Sequence, residues 1–140
     1  MQIKELINKP FMLIIRGLPG SGKSTFAELI NQMCHDPLIH AEADKFFEAF
    51  CAGKFVPSRI GEAHEWCKQI VECAIENRSN VVVSNTFTRE WEYAAYVSMA
   101  ESADYNVFVV TMNNVHGNQS IHGVPSETMM KMRERFQHKL

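Results

Sequence analysis

Gly17-Leu18-Pro19-Gly20-Ser21-Gly22-Lys23-Ser24-Thr25 is the stretch that decides how this chain folds. Gly17, Gly22, Lys23 and Ser24 fill the four defined places of G-x-x-x-x-G-K-[ST], a loop that cradles phosphate. Each residue type has a physical task. The glycines let the backbone curl tightly and bring its N–H groups close to phosphate oxygens. Lys23 adds a point charge near the β- and γ-phosphates, and the Ser24 hydroxyl is placed to ligate Mg²⁺. The expected ligand is a nucleoside triphosphate, ATP with Mg²⁺. Its expected contacts are Gly17, Pro19, Gly20, Ser21, Gly22, Lys23, Ser24 and Thr25.

The flanks agree with that reading. Phe11-Met12-Leu13-Ile14-Ile15 is a short apolar run, read as a buried strand feeding the loop. Beyond Lys23, the spacing of Phe26, Leu29, Ile30 and Met33 predicts one face of a helix. Strand, glycine loop and helix in that order aim a helix N-terminus at an anion.

Farther along, the alternation continues. Pro10 separates a short amphipathic lead (Ile3, Leu6, Ile7) from the first strand. Asp36-Pro37 signals a turn before a short strand, Leu38 to Ala41, and residues 44–50 read as helix. Gly53 to Pro57 reads as a loop or a slightly disordered excursion. From Ser58 to about Asn77, a stripe of Ile60, Ala63, Cys67, Ile70, Val71, Ala74 and Ile75 predicts a long helix. Val81-Val82-Val83 and Val107-Phe108-Val109-Val110 predict two further buried strands. Thr88 is the expected N-cap of a helix with Tyr93, Tyr96, Val97 and Ala100 on one side. Ser126 is the expected cap of a last helix with Met129, Met132 and Phe136 inward. Strands alternating with helices predict one three-layer α/β domain over 1–140 with a parallel sheet, a P-loop kinase core of minimal size.

The 140 residues suffice for one domain with a real core. Lys and Arg number 14 against 16 Asp and Glu, a formal net charge of −2, so no strong overall field for nucleic acid follows. Cys34, Cys51, Cys67 and Cys73 form no C-x-x-C pair and are expected as buried thiols in a reducing compartment. No stretch approaches the roughly 18 apolar residues of a membrane span. Met1 to Lys9 includes Glu5 and lacks an apolar signal core, so the expected compartment is cytoplasmic.

In an open parallel sheet, ligands bind beyond the carboxyl ends of the strands. Gly17 to Ser24, Asp44, Asn85 with Thr86, and Asn113 with Asn114 each follow such an end. Asp44 is the candidate general base for a hydroxyl acceptor; its position also allows a simple helix cap. Glu42 is a candidate substitute, or a partner in the outer shell of Mg²⁺. No apolar strand ends in Asp, so Mg²⁺ is expected on Ser24, phosphates and water. Asn85 could hold a water or substrate hydroxyl, or satisfy a loop backbone. His64 and His122 read first as structural histidines, with His64 one residue off the apolar stripe and able to face the cleft.

Together these residues resemble P-loop kinases of the 5′-polynucleotide kinase type, in its small stand-alone ATP-binding branch. The landmarks are Arg16 to Thr25, Ala43-Asp44, Ala63-His64 with Cys67, Val82 to Thr88 with Trp91-Glu92, and His122-Gly123-Val124-Pro125. They occur in family order over nearly the whole chain. The resemblance implies transfer of the ATP γ-phosphate to a 5′-hydroxyl of DNA or RNA, and a four-stranded parallel sheet ordered 2-3-1-4. It implies Lys23 and Ser24 as phosphate and Mg²⁺ contacts, and Asp44 as the base. Thr86, Arg89, Asn85 and His64 are candidate substrate contacts. Two departures stand out. Phe46 and Phe47 occupy the place of an arginine that usually clamps the substrate phosphate. Gln119 and Ser120 stand where the family's lid offers Arg-Asn, leaving Arg59, Arg89 and Arg133 as candidate replacements. A small-molecule kinase (sugar, nucleoside or antibiotic) and a catalytically weak ATP-binding module are the alternative readings.

Overall fold

The computed structural model describes residues 9–113 and 126–136. Four strands, β1 (Phe11–Gly17), β2 (Leu38–Ala41), β3 (Asn80–Asn85) and β4 (Asn106–Met112), form one sheet in the order β2-β3-β1-β4. All three pairings are parallel. This is the expected topology. It follows from connections that each return over the sheet through a helix: α1 (Lys23–Met33), α2 (Lys45–Phe50) with α3 (Ile60–Glu76), and α4 (Glu90–Ser102). A further helix, α5 (Ser126–Arg135), follows β4 in sequence.

The central strands are apolar on both faces because helices cover both. On one face Met12, Ile14, Val81 and Val83 pack with Ala63, Cys67, Val71 and Ala74 of α3 and with Tyr93, Tyr96 and Ala100 of α4. On the other, Leu13, Ile15 and Val82 pack with Ala27 of α1, joined by Phe26 and Ile30. The register Leu13–Val82 and Ile14–Val83 keeps like faces together across the strands.

Several expectations are corrected. Leu29 and Met33 are 51% and 74% exposed, so the inward strip of α1 is Phe26, Ala27 and Ile30. Among the described residues α1 packs over β1 and β3, and Leu29 and Met33 lie off that contact. β1 and β4 each continue past the apolar run, to Gly17 and Met112, because the sheet ladder extends to the loop itself. The N-cap position of α4 is Arg89, not Thr88. Thr88 lies one residue outside, where its N–H and hydroxyl both donate to Glu92, at 3.1 and 2.8 Å. Of the four cysteines only Cys67 is buried; Cys34 and Cys51 are half-buried and Cys73 is exposed. Ile60 is 39% exposed, at the start of α3 behind a 3₁₀ turn, Pro57–Arg59.

The stretch after α2 is ordered. The N–H groups of Cys51 and Gly53 both donate to the Phe47 carbonyl at 2.9 Å, with Gly53 in the left-handed region at φ 79°. Phe55 then folds back edge-on to Phe47, 5.2 Å between centroids. The lead with Ile3, Leu6 and Ile7, and Asn114, Gln119, Ser120 and His122 to Pro125, lie outside the described residues, as do the side chains of Ser126 and Met129. Among the described residues no helix is long and apolar enough to cross a membrane.

Candidate active site

The glycine loop leaves the carboxyl end of β1 and runs into α1. Gly17 is locked in place from two sides: its N–H donates to the Thr86 carbonyl at 3.2 Å, and any Cβ there would stand 2.5 Å from Ser21 Oγ and 2.9 Å from the Met112 carbonyl oxygen. Gly20 and Gly22 hold φ of 82° and 92°, conformations that side chains rarely adopt. Gly22 caps α1 without a side-chain hydrogen bond, and the first turn carries no acidic residue. The opening N–H groups of α1 therefore keep their capacity for an anion.

Two observations fit this hollow to triphosphate. The Ser21 hydroxyl is buried with no hydrogen-bond partner among the described residues. Lys23 curls back so that its ammonium donates to the Leu18 carbonyl at 3.0 Å, across the loop. Burial lowers the Lys23 pKa from its ordinary value, opposed by the charges of Glu42 and Asp44. Lys23 is thus a cation short of solvent, with both carboxylates near enough to act on it.

Ser24 faces the second strand. Its hydroxyl donates to the Glu42 carboxylate, 2.9 Å to Oε1 and 3.1 Å to Oε2, and Glu42 is only 5% exposed. Glu42 follows β2 directly and leaves it on the same side as His40, since both alternate with Ala41. His40 Nε2 lies 3.7 Å from Glu42 Oε2 and 2.6 Å from Ser84 Oγ. Lys45 Nζ approaches His40 Nδ1 at 3.0 Å. An ammonium can only donate, so Nδ1 accepts and the ring is neutral with its proton on Nε2. Burial, with the Lys45 charge adding to it, lowers the His40 pKa to about 4, in keeping with that form.

Asp44 stands at the head of α2, at φ −62° and ψ −25°, with no side-chain capping hydrogen bond. It shares with Ser24, Glu28, His40, Glu42, Lys45 and Glu48 the lining of a cleft of about 230 Å³. Ser24 and Asp44 are therefore brought to one space. A larger cavity of about 890 Å³ lies at the opposite edge, among the amino ends of the strands (Phe11, Asn80, Asn106), away from the glycine loop.

Other expected contacts fall elsewhere. Asn85 is 6% exposed; its Oδ1 accepts the Ala43 N–H at 2.9 Å and its amide reaches Cys67 Sγ at 3.6 Å. Of the two roles left open for Asn85, the backbone-holding one is what the geometry contains, and it fixes the segment that carries Glu42 and Asp44. Thr86 contributes its carbonyl to Gly17. His64 is exposed on α3, and neither it nor Arg89 lines the cleft. Phe46 and Phe47 are each 5% exposed in the core, so neither side chain serves as a substrate clamp. Arg59 pairs with Glu62 at 2.9 Å and lies over the Phe46 ring.

Two arginines supply what sequence reasoning did not assign. Arg16, 1% exposed, donates from Nε and Nη2 to the Phe87 carbonyl at 3.0 and 2.9 Å, and from Nη2 to the Thr88 carbonyl at 3.2 Å. Its guanidinium lies over Phe136, 4.3 Å from the centroid, and Tyr93, at 5.2 Å. Burial lowers its pKa from the ordinary value, opposed by Tyr93, Glu92 and Glu90. Arg135, at the end of α5, donates to Thr88 Oγ1 at 3.1 Å. A charged residue closing an apolar strand just before the loop was the available signal for Arg16.

A parallel sheet in this order, with the glycine loop at the end of its central strand, is the P-loop kinase fold. The chain belongs to the AAA domain family (AAA_33), whose match covers residues 12–138. Human NEDD4-binding protein 2 is 29% identical over 134 residues, covering 90% of this chain but 8% of that protein. Among solved structures, a chain of the Pnkp1/Rnl/Hen1 RNA repair complex is 22% identical with a TM-score of 0.61, covering 91% of this chain and 37% of its own. The APS kinase CysC of Mycobacterium tuberculosis is 14% identical with a TM-score of 0.60, covering 91% of this chain and 96% of its own. The same kinase in complex with AMPPNP and APS gives a TM-score of 0.58.

Proposed function

We propose that this protein is an ATP-dependent phosphotransferase that places the γ-phosphate on an alcohol. The observation that carries the reading is the cleft common to Ser24 and Asp44. The loop amides, the Ser21 hydroxyl and Lys23 would hold the triphosphate. Ser24 would hold Mg²⁺, which supplies charge neutralisation on the phosphate oxygens. The acceptor hydroxyl lies between the γ-phosphate and Asp44. Its oxygen forms the new bond to phosphorus while the bond from phosphorus to the bridging oxygen of ADP breaks, and its proton passes to the Asp44 carboxylate. The likeness to a chain of an RNA repair complex, with the Asn85-Thr86-Phe87-Thr88 and His122-Gly123-Val124-Pro125 runs, supports a 5′-hydroxyl of DNA or RNA as acceptor.

A specific observation favours a second acceptor, a small-molecule alcohol. The cleft is lined by Glu28, Glu42, Asp44 and Glu48 against Lys45, with His40 neutral beside them. A polyanionic acceptor meets net repulsion there. The deciding experiment offers labelled ATP with a 5′-hydroxyl oligonucleotide, then with a panel of sugars, nucleosides and amine-bearing alcohols. Label on the oligonucleotide supports the first acceptor, and label on a metabolite alone retires it. ATP binding with no transfer to any member would leave a nucleotide-binding module.

A further inference from the structure

We propose that Glu42 is the protein carboxylate of the Mg²⁺ site, acting with Ser24 in the place that a carboxylate at the end of β3 would otherwise fill. This rests on the nucleotide reading of the glycine loop. Strand β3 ends in Ser84-Asn85, and Asn85 is turned to the Ala43 N–H, so that strand offers the loop no anion. β2 supplies one instead. Both Glu42 oxygens lie within 3.1 Å of the one hydroxyl that the phosphate loop dedicates to the cation.

The chemistry of the pair is right for Mg²⁺. The ion takes hard oxygen donors and is bound by one or two protein groups plus phosphates and water rather than by an all-protein cage. A carboxylate 5% exposed is costly to bury as an anion unless something positive faces it. Lys23 is the cation already in its field. With Lys23 engaged on phosphate, Glu42 and Ser24 would hold a divalent ion whose charge offsets the buried carboxylate.

Glu42 is also braced for one position. The Asn85–Ala43 bond fixes the backbone next to it, and His40 stands 3.7 Å from Oε2, itself held by Ser84 and Lys45. Such outer partners orient a ligating carboxylate, and losing a well-placed one costs 10- to 100-fold in metal affinity by general experience.

The test uses Mn²⁺ as a paramagnetic probe on the full chain with AMPPNP. Free Mn²⁺ is read by electron paramagnetic resonance, and AMPPNP affinity is measured separately in EDTA. In Glu42→Gln the Mn²⁺ affinity of the AMPPNP complex is expected to fall roughly 10- to 100-fold. AMPPNP affinity in EDTA is expected to stay within about threefold of wild type. Glu42→Asp, which keeps the charge but withdraws it by one methylene, is expected to fall between, and serves alone if the glutamine variant does not fold. Unchanged Mn²⁺ affinity in a folded variant that binds AMPPNP overturns the Glu42 assignment and leaves the nucleotide reading standing. Failure of the wild-type chain to bind AMPPNP overturns both.

Discussion

Arg16 directs two of its nitrogens at a single acceptor, the carbonyl of Phe87, at 3.0 and 2.9 Å. Phe87 needs the hold: its φ is +46°, a conformation that costs a non-glycine residue of order 1–3 kcal/mol. The same segment carries Thr86, whose carbonyl takes the Gly17 N–H. The end of β1 thus grips the connection that begins after β3, and the glycine loop is anchored on both sides.

Arg16→Ala removes three donor contacts and a ring-stacked guanidinium from the core. A loss of about 3 kcal/mol is expected in urea unfolding followed by tryptophan fluorescence. Arg16→Lys keeps the charge without the fork and is expected to recover less than half of it. A change within about 0.5 kcal/mol for the alanine variant would show that the grip is not a stability element.

Gly17→Ala places a methyl against Ser21 Oγ and the Met112 carbonyl, and the backbone oxygen cannot yield cheaply. Displacement of the loop should weaken ATP binding at least about tenfold, 1.4 kcal/mol, by isothermal calorimetry. Retained affinity would mean that the loop can open without losing its amide array.

Lys23→Ala and Asp44→Asn separate binding from transfer. The first should weaken both ATP affinity and rate. The second should leave ATP affinity within about twofold while transfer falls by about 10²–10⁴. Wild-type transfer by Asp44→Asn, measured with whichever acceptor takes label, would remove Asp44 from the role of base.

Acidification has a defined sign at His40. Its folded pKa of about 4 lies below the ordinary 6.5, so the folded chain resists protonation that the unfolded chain accepts. The stability it contributes is complete above 6.5 and is lost as pH falls from there toward 4. Urea midpoints taken across that range should decline in the wild type and decline less in His40→Asn. Parallel declines would place the acid sensitivity elsewhere.

The loop, the strand before it and β2 were legible because their signals are local: a motif, an apolar run and a turn. Leu29 and Met33 misled because helical spacing marks a face without saying how wide a neighbour covers it. Thr88 has the chemistry of a cap, yet the chain turns one residue later, and its hydroxyl serves Glu92 and Arg135 instead. At the site, Lys23 and Ser24 follow from the motif. The Glu42–Ser24 contact depends on how β2 lies relative to α1, which no spacing within one segment encodes. Alternation of His40, Ala41 and Glu42 hinted that the two polar residues share a side, but not what stands opposite. Phe46 and Phe47 fill the core because α2 is short and must bury both to stay docked.

β1 is made early and finishes late. Its two neighbours in the sheet are β3 and β4, so the strand that bears the glycine loop keeps one open side until the chain has been synthesised through Met112. Pairings this distant in sequence are slow to close. Retention on immobilised nucleotide would therefore capture chains whose sheet is complete and pass over nascent or clipped ones that stop short of β4.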